Sequence, residues 1–130
     1  MSKTNWELVQ GVLYNVRDAL MTIEERFREV PDAAFFQSKE GWERRDGICM
    51  LFIAIGESFK KIDEQTDGTF LSRYSEIDRR KIIGLRNVIA HNYFDVDEDA
   101  LFDHCQTHLP LLLATVKRMI EDLEKNQTNP

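Results

Sequence analysis

The sequence predicts an all-α fold, an antiparallel up-and-down four-helix bundle, and three observations carry that prediction. Apolar residues recur at three- and four-residue steps through most of the chain. No succession of strand-like segments changes the class. Turn and break signals such as Pro31 and Asp67-Gly68 fall between the periodic segments. The 130 residues suit one domain with one core, taken as residues 1–130 with a frayed tail at about 126–130.

In the first helix, about Asn5 to Glu29, Trp6, Val9, Leu13, Val16, Leu20, Ile23 and Phe27 fall on one face. Asn5 is the N-cap candidate, and Pro31 stops the helix or closely follows its end. Val30–Gly41 reads as a connection or an irregular short helix. The second helix covers Glu43 to about Glu64, and its middle, Ile48 to Ile55, is apolar almost all round. Such a helix is either central in a bundle or covered by another subunit. Gly56 sits inside it despite a cost of about 1 kcal/mol relative to alanine, which points to close approach of a neighbouring helix. A third helix is expected from about Ser75 to Ala90, with Ser75 and Asp78 a weak relative of a capping box. The fourth runs from about Asp97 to Lys125, with Asp97, Glu98 and Asp99 suiting its positive end. Pro110 lies inside it, so a kink or break is expected near Thr107.

Composition narrows the function classes. With 42% hydrophobic and 31% charged residues, the chain is an ordinary soluble globular sequence. No apolar run approaches the roughly 18 residues of a membrane span, so no membrane partner is expected. The segment Met1–Glu7 lacks the basic stretch and apolar core of a secretory signal, so a cytoplasmic location is expected. A net charge of -6 argues against a general nucleic-acid coat, and no DNA partner is expected, yet a small local basic site remains compatible with it. The cysteines Cys49 and Cys105 are isolated and read as reduced, partly buried thiols.

Arg86, Asn87 and His91 are the candidate catalytic residues. Asn87 and His91, four apart, share a face if the helix continues to His91. Arg86 lies about 140° from His91 around an ideal helix, within reach of a long side chain. Arginine offers a charged fork that matches a phosphate, and histidine transfers protons near neutrality. An ordinary reading stays open: Arg86 pairs with a carboxylate, Asn87 holds a helix contact and His91 caps the last carbonyls.

The stretch Arg86–Asn87–Val88–Ile89–Ala90–His91–Asn92–Tyr93 has arginine, four residues, histidine, any residue, tyrosine. In this it resembles the HEPN ribonucleases. The flanking Ile82-Ile83-Gly84-Leu85, the His91-Asn92-Tyr93-Phe94-Asp95 run and Ala54-Ile55-Gly56-Glu57 resemble the HepT branch, and the likeness extends over nearly the whole chain. The resemblance implies a homodimer whose two motifs face a shared cleft, with Arg86 and His91 as the catalytic pair and Asn87 assisting. Two Arg86 and two His91 side chains would give a locally positive cleft within an acidic dimer. It further implies a metal-independent endoribonuclease toxin of a type VII-like toxin–antitoxin pair, acting on RNA, with tRNA a candidate. A cognate minimal nucleotidyltransferase antitoxin would transfer AMP to Tyr93. ATP is then the partner's substrate, and this chain needs no cofactor.

Other residues carry two readings each. Arg79-Arg80-Lys81 and Arg44-Arg45 either guide RNA or form solvated faces, with Arg80 a possible support for the site. Glu57 either buttresses a cleft arginine or forms an ordinary interhelical ion pair. His104 and His108 have the four-residue spacing of a metal pair but lack a convincing third ligand, so a wet or interface-facing pair is preferred and no metal is expected. Asp95, Asp97, Glu98 and Asp99 read as a turn and helix start rather than a magnesium site. The competing function is a non-catalytic HEPN binding module that positions a nucleotidyltransferase or its substrate; a purely structural bundle leaves the polar motif unexplained.

Overall fold

The computed structural model describes residues 4–91 and 93–128; the side chains of Val88, Ala90, His91, Tyr93, Gln127 and Thr128 lie outside the described residues. Helix α1, Trp6–Phe27, starts where the Asn5 side chain accepts a hydrogen bond from the Leu8 N–H at 3.1 Å. Of its seven periodic positions, Val9, Leu13, Val16, Leu20 and Ile23 are buried, as the core-facing stripe of a 3.6-residue helix must be, whereas Phe27 near the end is half-buried and Trp6 at the start is exposed. A tight 3-10 segment, Ala33–Gln37, then drives Phe36 into the interior.

Helix α2, Lys39–Thr66, begins earlier than the expected Glu43, because Ser38 caps it by accepting from the Gly41 N–H at 2.9 Å. Gly41 therefore belongs to the helix. A Cβ there would lie 1.7 Å from the Phe35 carbonyl oxygen, so the short connection folds back against it. The helix ends at the anticipated turn, with Asp67 at φ 50° and Gly68 at φ 72°. Ile48, Cys49, Phe52, Ile55 and Phe59 are buried, whereas Met50 is 65% exposed and Ala54 is exposed. So α2 is central in the bundle and still shows an apolar stripe to solvent.

Helix α3, Arg79–His91, starts four residues later than expected. The Asp78 carboxylate accepts from the N–H groups of Arg80 and Lys81, taking the capping role that the sequence reading gave to Ser75. The preceding stretch contains a short 3-10 turn, Leu71–Arg73, and the buried Tyr74, whose hydroxyl donates to Asp122 at 2.7 Å. A further 3-10 turn, Tyr93–Asp95, follows α3. The expected fourth helix is two helices, α4 (Glu98–Asp103) and α5 (Leu109–Thr128), joined by a π-helical turn at His104–His108. Pro110 explains the break, since it has no N–H for the carbonyl four residues back and its ring crowds that turn. Helix α5 continues to Thr128, past the Lys125 end and into the tail expected to fray.

Helix α1 packs on α2 and α5, and α3 rests chiefly on α2. No strand occurs among the described residues. The fold is all-α, as the helical periodicity predicts. No helix among the described residues is long and apolar enough to cross a membrane.

The α2–α3 contact is set at Gly56. A Cβ there would fall 2.8 Å from the Ile82 carbonyl oxygen and 3.4 Å from that of Ile83, so the α3 backbone occupies the space a side chain would need. Gly11 on α1 is the contrast: its Cβ would meet nothing within 4 Å. Gly56→Val should destabilise the fold by about 2 kcal/mol through overpacking, while Gly11→Ala should stabilise it by about 1 kcal/mol through helix propensity. Urea titration followed by circular dichroism measures both; equal effects at the two positions would contradict the close approach.

Candidate active site

The notch at Gly56 places the next residue of α2, Glu57, under the C-terminal half of α3. There the Arg86 Nε–H donates to Glu57 Oε1 at 2.8 Å. The two side chains are 53% and 46% exposed, so the pair adds at most about 1 kcal/mol to stability. Its effect is positional: it engages one N–H of the guanidinium and sets the direction of a fork that carries four more. The pair joins two helices and its arginine is the candidate catalytic one, so this single contact is compatible with both readings of Glu57.

Asn87 is exposed beside this pair. The main chain of α3 stays helical to His91, which meets the condition for Asn87 and His91 to share a face. The side chains of His91 and Tyr93, the proposed proton carrier and AMP acceptor, lie outside the described residues. Tyr93 opens the 3-10 turn that follows the helix.

The basic cluster before Arg86 divides three ways. Arg79 turns to α2 and pairs with Asp63 at 3.1 Å. Lys81 lines a cavity on the opposite flank. Arg80 is exposed and, two turns before Asn87, falls on the same helical stripe about 10 Å along the axis. Arg80 is therefore the member of the cluster aligned with Asn87 and the His91 backbone position.

Arg44 and Arg45 are tied into the fold rather than forming a solvated face. Arg44 bridges to the end of α1, donating to the Arg26 carbonyl at 3.1 Å and pairing with Glu29 at 2.6 Å. Arg45 is 1% exposed, lies 4.0 Å from the centre of the Trp42 ring and pairs with Asp46 at 3.5 Å. A guanidinium is weakly hydrated and stacks on aromatic faces, which lets it enter the interior where lysine would not.

On the other flank of α3 the widened turn leaves space. A cavity of about 300 Å³ lies among Leu85, Ile89, Val96, Leu101 and His104. A second, of about 290 Å³, continues past His104 to Ile77, Ile82, His108 and Leu111. The sequence reading missed both, because the π-helical turn shifts the register of every residue after it. His104 meets Phe52 edge-on at 5.1 Å and stacks on His108 at 5.1 Å with the rings 17° apart. Among the described residues, no group of three His, Cys, Asp or Glu is placed to hold a metal ion. The acidic stretch after the motif supplies a cap: Asp97 accepts from the Ala100 N–H at 3.0 Å.

Cys49 and Cys105 are free and fully buried rather than partly so, and loss of solvation pushes their thiols up to about 11 and about 12. Burial, and then the neighbouring His108, lower the pKa of His104. The unfolded chain therefore binds this proton more readily than the native one. The native advantage is present above the unfolded value of about 6.5 and is lost as the pH falls from there through the lowered native value. In His104→Phe the drop in melting temperature between pH 7 and pH 5 should be smaller than in the parent; an equal drop would contradict this assignment.

The family model described as Ribonuclease HepT-like matches residues 16–119. The chain is 24% identical over 121 residues to the "Gamma-glutamylcyclotransferase and putative RNase MJ0434" of Methanocaldococcus jannaschii, an alignment covering 93% of this chain and 51% of that protein. It thus spans about half the length of that relative. It is 20% identical over 121 residues to the "Putative RNase MJ0127" of the same organism, covering 93% of this chain and 94% of that one. The "Putative RNase MJ0125", also from that archaeon, is 21% identical over 117 residues, with 90% and 95% covered. No solved structure matches the chain at comparable significance.

Proposed function

The chain belongs to the Ribonuclease HepT-like family, and from that premise we propose that it is a metal-independent endoribonuclease whose active site is the C-terminal end of α3. The observation that carries the reading is Arg86, held by Glu57 at 2.8 Å beside the exposed Asn87 on a helix that runs through to His91. In this mechanism the 2′-oxygen of RNA bonds to the adjacent phosphorus and the bond from phosphorus to the 5′-oxygen breaks. His91 takes the proton from the 2′-hydroxyl or gives one to the leaving oxygen. Arg86 neutralises the charge that builds on the non-bridging oxygens, and Asn87 donates a hydrogen bond beside it. Arg80 supports the site by attracting the flanking phosphate. Proton transfer and charge neutralisation thus both come from side chains, and tRNA is a candidate substrate.

A second copy of the chain completes the site. The solvent-facing stripe of Met50 and Ala54 runs along α2 towards Glu57, so a copy seated there adjoins the Arg86 pair. Two acidic chains would then pool their arginines and histidines in one cleft. Control by a cognate nucleotidyltransferase antitoxin, which transfers AMP from ATP to Tyr93, fits the same place. An added phosphate and adenosine beside Arg86 would compete with RNA for the guanidinium.

Total RNA incubated with purified, unmodified protein in excess chelator tests the activity. Cleavage is expected, and His91→Ala should slow it by about 10²- to 10⁴-fold. Equal cleavage by both proteins would discard His91, and none by either would favour a non-catalytic binding module. Tyr93→Phe should retain cleavage and fail to accept AMP from the nucleotidyltransferase by intact mass; AMP transfer to that variant would overturn the acceptor assignment.

A further inference from the structure

Two of the six glycines lie inside helices with open space where a side chain would stand, and one of them, Gly84, is in the middle of α3. We propose that Gly84 is the floor on which the sugar–phosphate backbone of RNA rests, so that the missing side chain is a condition of substrate binding. The proposal rests on the ribonuclease reading and adds a residue that touches the strand without supplying a functional group.

The fold accounts for most of the other glycines. A Cβ at Gly41 would strike the Phe35 carbonyl, one at Gly56 that of Ile82, and one at Gly47 the Arg26 guanidinium, while Gly68 turns the chain at φ 72°. Gly84 has neither reason. Its backbone is helical, without the positive φ that favours glycine, and a Cβ there would meet no described atom within 4 Å. Alanine would suit the helix better, by about 1 kcal/mol of propensity. Glycine is used instead where a ligand must approach the main chain closely. Openness alone does not single out Gly84, since Gly11 on α1 shares it; the surroundings do.

Around the α3 axis, Arg80 lies about 40° from Gly84, Asn87 about 60° and the His91 backbone position about 20°. The buried Ile82 and Ile89 lie on the far side, so this face turns away from the core. Exposed Arg80 and Lys81 come one turn before Gly84, and exposed Asn87 one turn after. The 13 residues of α3 include no aspartate or glutamate. Gly84 is thus a gap in a row of donors, about 6 Å along the axis from Arg80 and about 4.5 Å from Asn87. A strand lying in the gap reaches both; a methyl group would hold it off both. The same charges choose the occupant. A two-fold contact between copies would set this cationic face against itself, which like charges oppose. A phosphodiester backbone carries the opposite sign.

The test compares Gly84→Ala and Gly84→Leu with Gly11→Ala, all in the full chain. Both alanine variants should raise the urea midpoint, because each replaces an unpacked helical glycine. Gly84→Ala should nevertheless lower cleavage of total RNA by about 10²-fold, the cost of displacing a substrate by about 1 Å. It should also weaken binding of a labelled RNA oligonucleotide in fluorescence anisotropy. Gly84→Leu, which adds more volume and also suits a helix, should lose more of both, and Gly11→Ala should keep both. A gain in stability coupled to a loss of RNA binding is a result that a purely structural role for Gly84 does not give. Full cleavage and binding by Gly84→Ala would overturn the proposal. So would a smaller assembly of that variant by sedimentation equilibrium, which would make Gly84 a contact between copies. If the parent neither binds nor cleaves RNA, the ribonuclease reading falls and takes the proposal with it. A parent and a Gly84→Ala variant that cleave equally would refute the proposal alone.

Discussion

Helix α3 lies on α2 without an intervening side chain because residue 56 is glycine, and the position of the candidate site follows from that contact. The backbone of Ile82 and Ile83 occupies the place of the missing Cβ. One residue further along α2, Glu57 meets Arg86, one turn further along α3. A larger residue at position 56 would lift α3 and separate that pair, so a steric condition on the fold is also an electrostatic condition on the site. The glycine's cost in helix propensity, about 1 kcal/mol, is the price of this proximity.

Charge placement reconciles an acidic protein with a phosphate-bearing substrate. A net charge of -6 describes the whole chain, but several arginines are committed to architecture. Arg45 lies under Trp42, Arg44 ties α2 to the end of α1, and Arg79 faces Asp63. Arg80 sits at the solvent-exposed edge of α3, and Arg86, though paired with Glu57, stays about half exposed there, with the aspartates of residues 95–99 beyond the helix end. An RNA strand therefore meets a steep local change of sign rather than a uniform repulsive surface.

Much of this was legible in the sequence wherever local chemistry decides the outcome. The Asn5 cap, the Asp67-Gly68 turn and the break before Pro110 each follow from hydrogen-bonding or steric rules that act over a few residues. Gly56 announced a close helix neighbour because few other causes justify glycine in a helix interior. The start of α3 was misplaced because Ile77 continues the apolar period upstream, whereas it packs from a turn before the Asp78 cap. Arg44-Arg45 defeated sequence reasoning for another reason: adjacent residues on a helix point in different directions, and only the packing of Trp42 shows which one is buried. The pairing of Glu57 with Arg86 needed the register of α2 against α3, which no local pattern encodes. His91 and Tyr93 rest on the motif together with the course of the α3 backbone.

The central claim, that RNA is engaged at the end of α3, is tested most directly by photo-crosslinking. A single-stranded RNA carrying 4-thiouridine would be irradiated with the intact protein, and the tryptic fragment bearing the nucleotide identified by mass spectrometry. The account predicts crosslinks in Asn87–Lys117, within its first eight residues, up to Phe94. Crosslinks confined to α1 or to the outer face of α5 would contradict it.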